Sequence, residues 1–419
     1  DEKITNFDAL QSLVQETSLT ESINLIIAAG MKFLASDIHI EAEENDVKVR
    51  FRIDGTLYNA LSMPKEANEK INSRIKLLAS LKLNTGGKPQ DGRFTISLTK
   101  DKVDVRVSII PSAYGESIVM RLLRASSAGL QFDELGLKGK AYNDLQKQMS
   151  KPNGMLIATG PTGSGKTTTL YAILNKLNRP ETKIITLEDP IEYKLAGIIQ
   201  SQVENKPHTD AKSEIEKSTR YTFARGLRAL LRQDPDVVMV GEIRDLETAD
   251  VAINAALTGH LMLSTMHTNS AAATIPRLLA MGVQSFLLAP ALDAIIGQRL
   301  VRRLCTYCKV EDDTIDTATT TEILNTLNNI APESGHAVAD INNLKFFKAQ
   351  GCDKCHNLGY KGRVGIYEIF MMTPEIEKLI LAGNVSEYEI EKVAVKNGMI
   401  TMLQDGLLKA LEGITSVQE

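Results

Sequence analysis

The chain has 419 residues, of which 24% are charged and 43% hydrophobic, and a formal net charge of −4. That length supports two or three domains, each with its own core, and the mildly acidic balance argues against a protein built to neutralise nucleic-acid phosphates. No run of about 18 apolar residues occurs, residues 25–34 being interrupted by Lys32, so no membrane-spanning segment is expected. No secretory signal opens the chain. The four cysteines form two C-x-x-C pairs, which in a chain of this length points to metal ligands in a reducing cytosol rather than to disulfides. The first residue is Asp1 rather than Met, which suggests that an N-terminal part has been trimmed.

Residues 1–16 are polar and read as a linker into a first helix over 18–34. Strands follow. In 47–53, Val47, Val49, Phe51 and Ile53 share one face while Lys48, Arg50 and Arg52 share the other, and Asp54-Gly55 reads as a hairpin turn. A helix over 66–81 and a loop through Gly86 and Gly87 lead to the same alternation in 103–107. These elements predict an α+β domain over 17–127. Its sheet presents a basic outer face that includes Arg106, with Arg93 and Arg121 as further candidates; taken alone, such arginines read as a solvated face.

The next domain, 128–300, carries strands of the buried parallel kind, continuous apolar runs bounded by polar ends. Four are expected, at 155–158, 183–187, 237–240 and 261–264. The first leads into Gly160, Pro161, Thr162, Gly163, Ser164, Gly165, Lys166 and Thr167, a full match to G-x-x-x-x-G-K-[ST], and Thr168 continues into a helix-like run to Leu177. The glycines let backbone N–H groups turn inward around phosphate oxygens. Lys166 would reach the β- and γ-phosphates, the Thr167 hydroxyl would ligate Mg²⁺, and the helix N-terminus would add positive potential.

The other strands end in polar residues too. Ligands of open α/β sheets sit at the carboxyl ends of the strands, so Glu188, Glu242 and His267 should converge on the phosphates. Many ATPases place an Asp directly after the third apolar run; here that position is Gly241. Glu242 would then act through the water shell of the metal or on the attacking water, with Glu188 as the other candidate to polarise that water. The residues leave the division of roles open. His260 and His267 could each sense the γ-phosphate or hold a loop, and the position just after a strand end favours the sensor reading for His267. Arg225, Arg228 and Arg232 fall on one helix face. Without interleaved aromatics they read as a face that pairs with carboxylates rather than as a nucleic-acid patch.

Cys305-x-x-Cys308 and Cys352-x-x-Cys355 can supply four thiolates in tetrahedral geometry around Zn²⁺. Four Cys leave no open coordination position, so the zinc is expected to be structural, in a module over 301–370 that contains a polar insertion at 311–329. Arg302, Arg303, Lys309 and Lys354 are placed to offset the negative charge of such a site. The tail, 371–419, is expected to be helical and without chemistry of its own. Thr373-Pro374 gives an N-cap with Pro at the first helical position, Ser386-x-x-Glu389 a capping box, and Gly383 and Gly398 helix stops.

With these residues assembled, the chain resembles the type II secretion and type IV pilus family of ATPases over nearly its whole length. The resemblance is carried by Ser36-Asp-Ile-His-Ile-Glu41, Pro89-Gln-Asp-Gly-Arg93, the phosphate loop, Glu188-Asp-Pro-Ile-Glu192 and Leu231-Arg-Gln-Asp-Pro-Asp236. It continues through Gly241-Glu-Ile-Arg-Asp245, Thr258-Gly-His260, His267-Thr-Asn269 and Gly362-Arg-Val-Gly365. A Gly at 241 is usual for that family. The tetracysteine module points to its assembly or secretion branch, and Gly359-Tyr-Lys-Gly-Arg-Val-Gly-Ile-Tyr-Glu368 looks slightly more like the pilus assembly members.

The resemblance implies a RecA-like P-loop domain preceded by a smaller α+β, PAS-like domain and followed by the zinc module and helical tail. It implies a cytoplasmic homo-hexamer, peripheral to the inner membrane, that binds ATP or ADP with Mg²⁺. Arg93, Arg106 and Arg121 of one subunit would close over the nucleotide of the RecA-like domain and neutralise charge in phosphoryl transfer. Sequential closure around the ring would then drive an inner-membrane platform protein. The family's usual N-terminal docking module is not among these residues. The alternative from another class is a RecA-like nucleic-acid motor, against which the charge balance argues.

Overall fold

In the computed structural model of the protein, the described residues are 4–84, 87–97, 102–124, 131–203, 221–336, 344–383 and 385–419. Gly86 of the expected Gly-rich loop lies outside them. The chain forms two compact units. One comprises residues 1–127, 305–309 and 349–362, the other residues 128–304, 310–348 and 363–419.

The first unit is built on a six-stranded sheet of order β3-β2-β1-β6-β5-β4. Its strands are β1 Asp37–Ala42, β2 Asp46–Ile53, β3 Thr56–Pro64, β4 Gln90–Ser97, β5 Lys102–Ser112 and β6 Gly115–Arg124, with helices α1 Phe7–Glu16, α2 Leu19–Lys32 and α3 Ala67–Leu78. Alternation decides the faces. In β2, Val47, Val49, Phe51 and Ile53 are buried while the residues between them are half-buried, as period-2 patterning requires. Residues 7–16, expected as linker, are instead a helix. Leu10 and Val14, one turn apart, are buried, and Asn6 caps the start by accepting the Ala9 N–H at 2.8 Å. Gln11 then clasps the edge strand, donating to the Ser62 carbonyl at 3.0 Å and accepting the Ser62 N–H at 2.8 Å.

The second unit holds a seven-stranded sheet of order β15-β12-β7-β11-β10-β8-β9. Its strands are β7 Gly154–Thr159, β8 Ile184–Glu188, β9 Ile199–Gln202, β10 Val237–Val240, β11 Leu261–Met266, β12 Leu292–Leu304 and β15 Tyr360–Met371. A separate pair is formed by β13 Val310–Glu311 and β14 Phe347–Lys348. The helices are α4 Gly139–Met149, α5 Lys166–Leu177, α6 Phe223–Leu230, α7 Leu246–Leu257, α8 Thr274–Ala280, α9 Ser285–Ala291, α10 Thr317–Asn328, α11 Pro374–Leu381, α12 Glu387–Lys396 and α13 Met402–Leu411.

The four expected strands are the centre of this sheet and run parallel, β12 joining β7 on the far side in the same sense. Every residue of β7, β10 and β11 is buried, because helices cover both faces. Two apolar clusters result, one including Met155, Ile157, Leu227 and Val240 and the other Leu156, Ala158, Leu170 and Tyr171. The register sets the site. Thr159 lies opposite Met266 on one side and Gly297 on the other, so Gly160 and His267, each just after its strand, stand level with Gln298 within β12.

The tail keeps its expected signals. Thr373 caps α11 with Pro374 at its first turn, and the Ser386 hydroxyl accepts the Glu389 N–H at 3.2 Å. Gly383 and Gly398 have φ of +76° and +94°, which lets the chain turn out of a helix without a Cβ clash. The polar insertion at 311–329 contains α10, whose Ile323 and Leu327 are buried.

Candidate nucleotide site and cysteine cluster

The loop after β7 is shaped by close approach. Gly165 is the N-cap of α5 at φ +88°, and a Cβ there would stand 2.7 Å from the Gln298 side-chain amide nitrogen. At Gly160, φ is +147° and a Cβ would stand 2.4 Å from the Gln298 carbonyl oxygen. No side chain fits at either place. Gln298 itself is buried and accepts the Thr169 hydroxyl at 2.8 Å, which ties the loop's floor in β12 to the helix that leaves the loop. Gly163 has open space where a Cβ would lie, and the buried Ser164 hydroxyl has no hydrogen-bond partner. An orphaned buried hydroxyl just before a helix N-terminus fits a phosphate oxygen.

Lys166 is buried and its ammonium donates to the carbonyls of Gly160 at 2.8 Å and Pro161 at 2.9 Å. Burial pulls its pKa down from the usual value, against the attraction of Glu242. Glu242, also buried, receives Arg244 Nε at 2.6 Å and lies 3.8 Å from His267 Nε2. Of Glu188, Glu242 and His267, expected to converge, Glu242 and His267 meet beside Lys166 near the ends of β10, β11 and β7, whereas Glu188 is bound by other partners. Gly241 stands where an Asp would have been expected, and a Cβ there would be in tight contact with the end of β8. It would lie 3.3 Å from the Leu187 carbonyl oxygen and 3.4 Å from the Glu188 Cα.

Glu188, at the end of β8, occupies a different environment. It is 3% exposed, and its carboxylate accepts the Thr186 hydroxyl at 2.6 Å, the Gln200 amide at 3.0 Å and the Tyr171 hydroxyl. Burial and the adjacent Glu188 charge push Tyr171 upward, and Tyr193 is pushed up to about 12 for the same two reasons. The Thr167 and Thr168 side chains are half-buried on the first turn of α5. His260 lies at the opposite end of β11, where its ring nitrogen Nδ1 meets the Ala255 carbonyl at 3.1 Å; it holds a loop.

Arg228 pairs with Glu247 at 2.7 Å, in line with a carboxylate-pairing face on α6. Arg302, expected beside the cysteines, is instead bound by the Glu419 carboxylate, its Nε donating at 2.9 Å. On the sheet of the first unit, Arg93 is directly opposite Arg106, Arg106 opposite Arg121, Arg121 opposite Asp37 and Asp37 opposite Arg52. Arg121 Nε donates to the buried Asp37 at 2.9 Å. Three like charges in one cross-strand row repel, and an anion against that face would relieve them.

The four cysteines come together. Their Sγ atoms all lie within 4.8 Å of one another, with Cys305 to Cys352 at 3.9 Å, Cys308 to Cys355 at 3.8 Å and Cys352 to Cys355 at 3.8 Å. A tetrahedron with Zn–S bonds of about 2.3 Å has edges of about 3.8 Å, so the donor set fits. Backbone amides aim at the sulfurs: Gly351 N–H donates to Cys308 at 3.3 Å, and Cys352 and Gly359 N–H both donate to Cys355 at 3.2 Å. Such donors stabilise thiolates.

Several of these residues carried no signal in the motifs. Glu368 is a single polar residue inside an apolar strand run, a pattern that marks a buried hydrogen-bonding role, while Gln298, next to Arg299, carries no such signal. Thr159 and Thr268, whose hydroxyls meet at 2.6 Å, join the phosphate loop to the His267 loop. The tail reaches this loop too, since Ser270 donates to Glu387 at 2.6 Å.

Gly165→Ala is expected to weaken ADP binding by tenfold or more without unfolding the chain, because φ stays in the left-handed region and the new methyl meets Gln298. Isothermal titration with ADP, alongside the melting temperature, checks this. His267 is held below its ordinary 6.5 first by burial, then by Lys166 and Arg244, against the opposing pull of Glu242. A lowered folded pKa keeps the ring neutral at pH 7 and for some distance below 6.5. The acid limb of the pH profile of hydrolysis due to His267 is therefore expected below pH 6.5 and absent in His267→Gln.

Known proteins resemble this chain along nearly its whole length. The family described as Type II/IV secretion system protein matches residues 12–419. The type IV pilus assembly ATPase PilB of Myxococcus xanthus (strain DK1622) is 40% identical over 419 residues, spanning 100% of this chain and 70% of that protein. The type II secretion system protein E of Pseudomonas aeruginosa is 43% identical over 418 residues, spanning 100% and 78%. Among solved structures, the pilus retraction motor PilT with bound ADP superposes with a TM-score of 0.55 at 25% identity, over 94% of each chain. The Legionella pneumophila ATPase DotB gives 0.63 at 20% identity over 94% of this chain and 93% of its own, a likeness of fold. A full phosphate loop with Lys166 and Glu242 at its mouth, in a chain matched from end to end by such relatives, makes this protein an ATPase of the type II secretion and type IV pilus assembly family.

Proposed function

We propose that the chain is a cytoplasmic, Mg²⁺-dependent ATPase motor that works as a hexamer. It would drive pilus assembly or type II secretion through an inner-membrane platform protein. The observation that carries this reading is the meeting of Lys166, Glu242 and His267 at the strand ends beside the phosphate loop. Gly160, Pro161, Thr162, Gly163, Ser164, Gly165, Lys166, Thr167 and Thr168 hold the nucleotide phosphates, and Thr167 with Glu242 would hold Mg²⁺, directly or through its water. The metal would neutralise charge on the phosphates.

Glu242 polarises the attacking water, because it is a buried carboxylate next to Lys166 whose hydrogen bonds come from its own loop. Glu188 already serves three donors, which supports a positioning part for it, fixing the end of β8. His267 senses the terminal phosphate as a neutral donor. The row formed by Arg93, Arg106 and Arg121 supports an anion-binding face. In the ring we assign it to the nucleotide of a neighbouring subunit, where it offsets charge that develops during phosphoryl transfer. The cysteine cluster holds a structural Zn²⁺, since four thiolates leave no position for a substrate.

ATP hydrolysis measured against protein concentration, with mass by light scattering on the same samples and single-stranded DNA in half of them, tests the motor. Activity that rises with hexamer formation and ignores DNA is expected. Full activity in a monomer, or stimulation by DNA, would remove the arginines from the mechanism and favour a nucleic-acid motor. Glu242→Gln should lower kcat by about 10²–10⁴-fold while ADP affinity is kept. Purified chain should contain about one zinc, and chelation or Cys308→Ser should lower the melting temperature; metal loss at unchanged stability would contradict a structural site.

A further inference from the structure

The loop 267–273 that carries His267 is fastened at two ends. At its start, Thr268 N–H donates to Thr159 Oγ1 at 3.0 Å, one residue before the phosphate loop. At its far end, the Ala271 N–H donates to the Glu368 carboxylate, which lies on β15 and is 6% exposed. The backbone amide of Met402, the first residue of α13, also faces this carboxylate and favours its charge. That amide is one of the four at a helix start with no partner inside the helix, and a carboxylate there also meets the positive end of the helix dipole.

The space around Glu368 is reserved for it. On the adjacent strand β12, a Cβ at Gly297 would lie 2.5 Å from Glu368 Cγ, so only glycine leaves room. Burial pushes the carboxyl up from its usual range, and the amides of Ala271 and Met402 pull it back. A lone carboxylate this deep costs free energy unless hydrogen-bonded, and here it joins two segments remote in sequence. Neither donor belongs to the phosphate loop, whose floor is Gln298.

We propose that Glu368 is a positioning residue for hydrolysis: by holding Ala271 and the start of α13 on one carboxylate, it sets the loop that places His267 against Glu242. This rests on reading His267 and Glu242 as the hydrolytic pair and assigns that pair a support in the C-terminal part of the chain. Nucleotide binding and hydrolysis should then separate. Loss of Glu368 lets the His267 loop shift while Gln298 continues to support the phosphate loop. A shift of about 1 Å in a catalytic group can cost about 10²-fold in rate. A carboxylate is needed because both donors are N–H groups; glutamine keeps one acceptor but turns an NH₂ toward the other amide.

The test is a double-mutant cycle on the full chain: wild type, Glu368→Ala, His267→Ala and the double variant. Readouts are kcat, KM for ATP, ADP affinity and melting temperature. Glu368→Ala is expected to lower kcat about 10²-fold with KM and ADP affinity unchanged, and the double variant to be no slower than His267→Ala alone. Glu368→Gln should recover part of the rate, and it carries the same cycle if the alanine variant does not fold. Wild-type kcat in Glu368→Ala overturns the proposal, as does a parallel loss of kcat and ADP affinity. A slow His267→Ala that is slowed further in the double variant overturns it while leaving the sensor reading intact. A normal kcat in His267→Ala overturns the sensor reading and this proposal with it.

Discussion

The phosphate loop exists in this form because two strands approach more closely than side chains allow. β12 runs parallel to β7 and brings the Gln298 backbone within reach of Gly160 and its side chain within reach of Gly165. A Cβ at either glycine would overlap atoms of Gln298, so the loop must turn where glycine is. The rest of the site follows from register: with Thr159 opposite both Met266 and Gly297, the residues that follow each strand fall in line at one sheet edge. Glu242, two residues past the end of β10, comes level with Met266 and Thr159 at the ends of β11 and β7, which brings it beside His267 and Lys166 although their sequence separations are long.

How much of this could be read beforehand depended on whether a residue advertised its surroundings. The central strands were legible because each is a continuous apolar run, and the glycine motif announced the loop that follows the first of them. β12 and β15 were not read as strands, since Arg299, Arg302, Arg303, Lys361 and Arg363 interrupt their apolar positions; only the neighbouring strand shows that their other halves are buried. The helix Phe7–Glu16 was missed for a related reason. Phe7, Leu10, Leu13 and Val14 do recur at helical spacing and pack on the core of the first unit, but the polar residues between them hid that stripe.

The candidate site divided along the same line. Residues with a motif around them, Lys166, Glu242 and the four cysteines, gather as their spacing implied. Glu188 and Glu242 looked equivalent as polar residues after apolar runs, and their environments separate them: one is enclosed by Tyr171, Thr186 and Gln200, the other lies beside Lys166 and Arg244. Arg93, Arg106 and Arg121 alternate correctly along their strands, yet only the pairing of β4, β5 and β6 aligns them. Gln298 belongs to no motif, and Glu368 closes a quoted stretch without any sign of its role, because the partners of each come from remote parts of the chain.

The cysteine cluster has a consequence for how the chain can be divided. Its two knuckles, at 305–309 and 349–362, belong with the first unit, whereas the segment between them and the tail that follows belong with the second. The polypeptide therefore passes back and forth between the units instead of finishing one before starting the next. A fragment ending at residue 127 would contain every strand of the six-stranded sheet and none of the thiols. A fragment starting at 128 would contain all four thiols without the sheet they are grouped with. Neither fragment contains both the sheet and the thiols grouped with it, so neither corresponds to a unit of the fold.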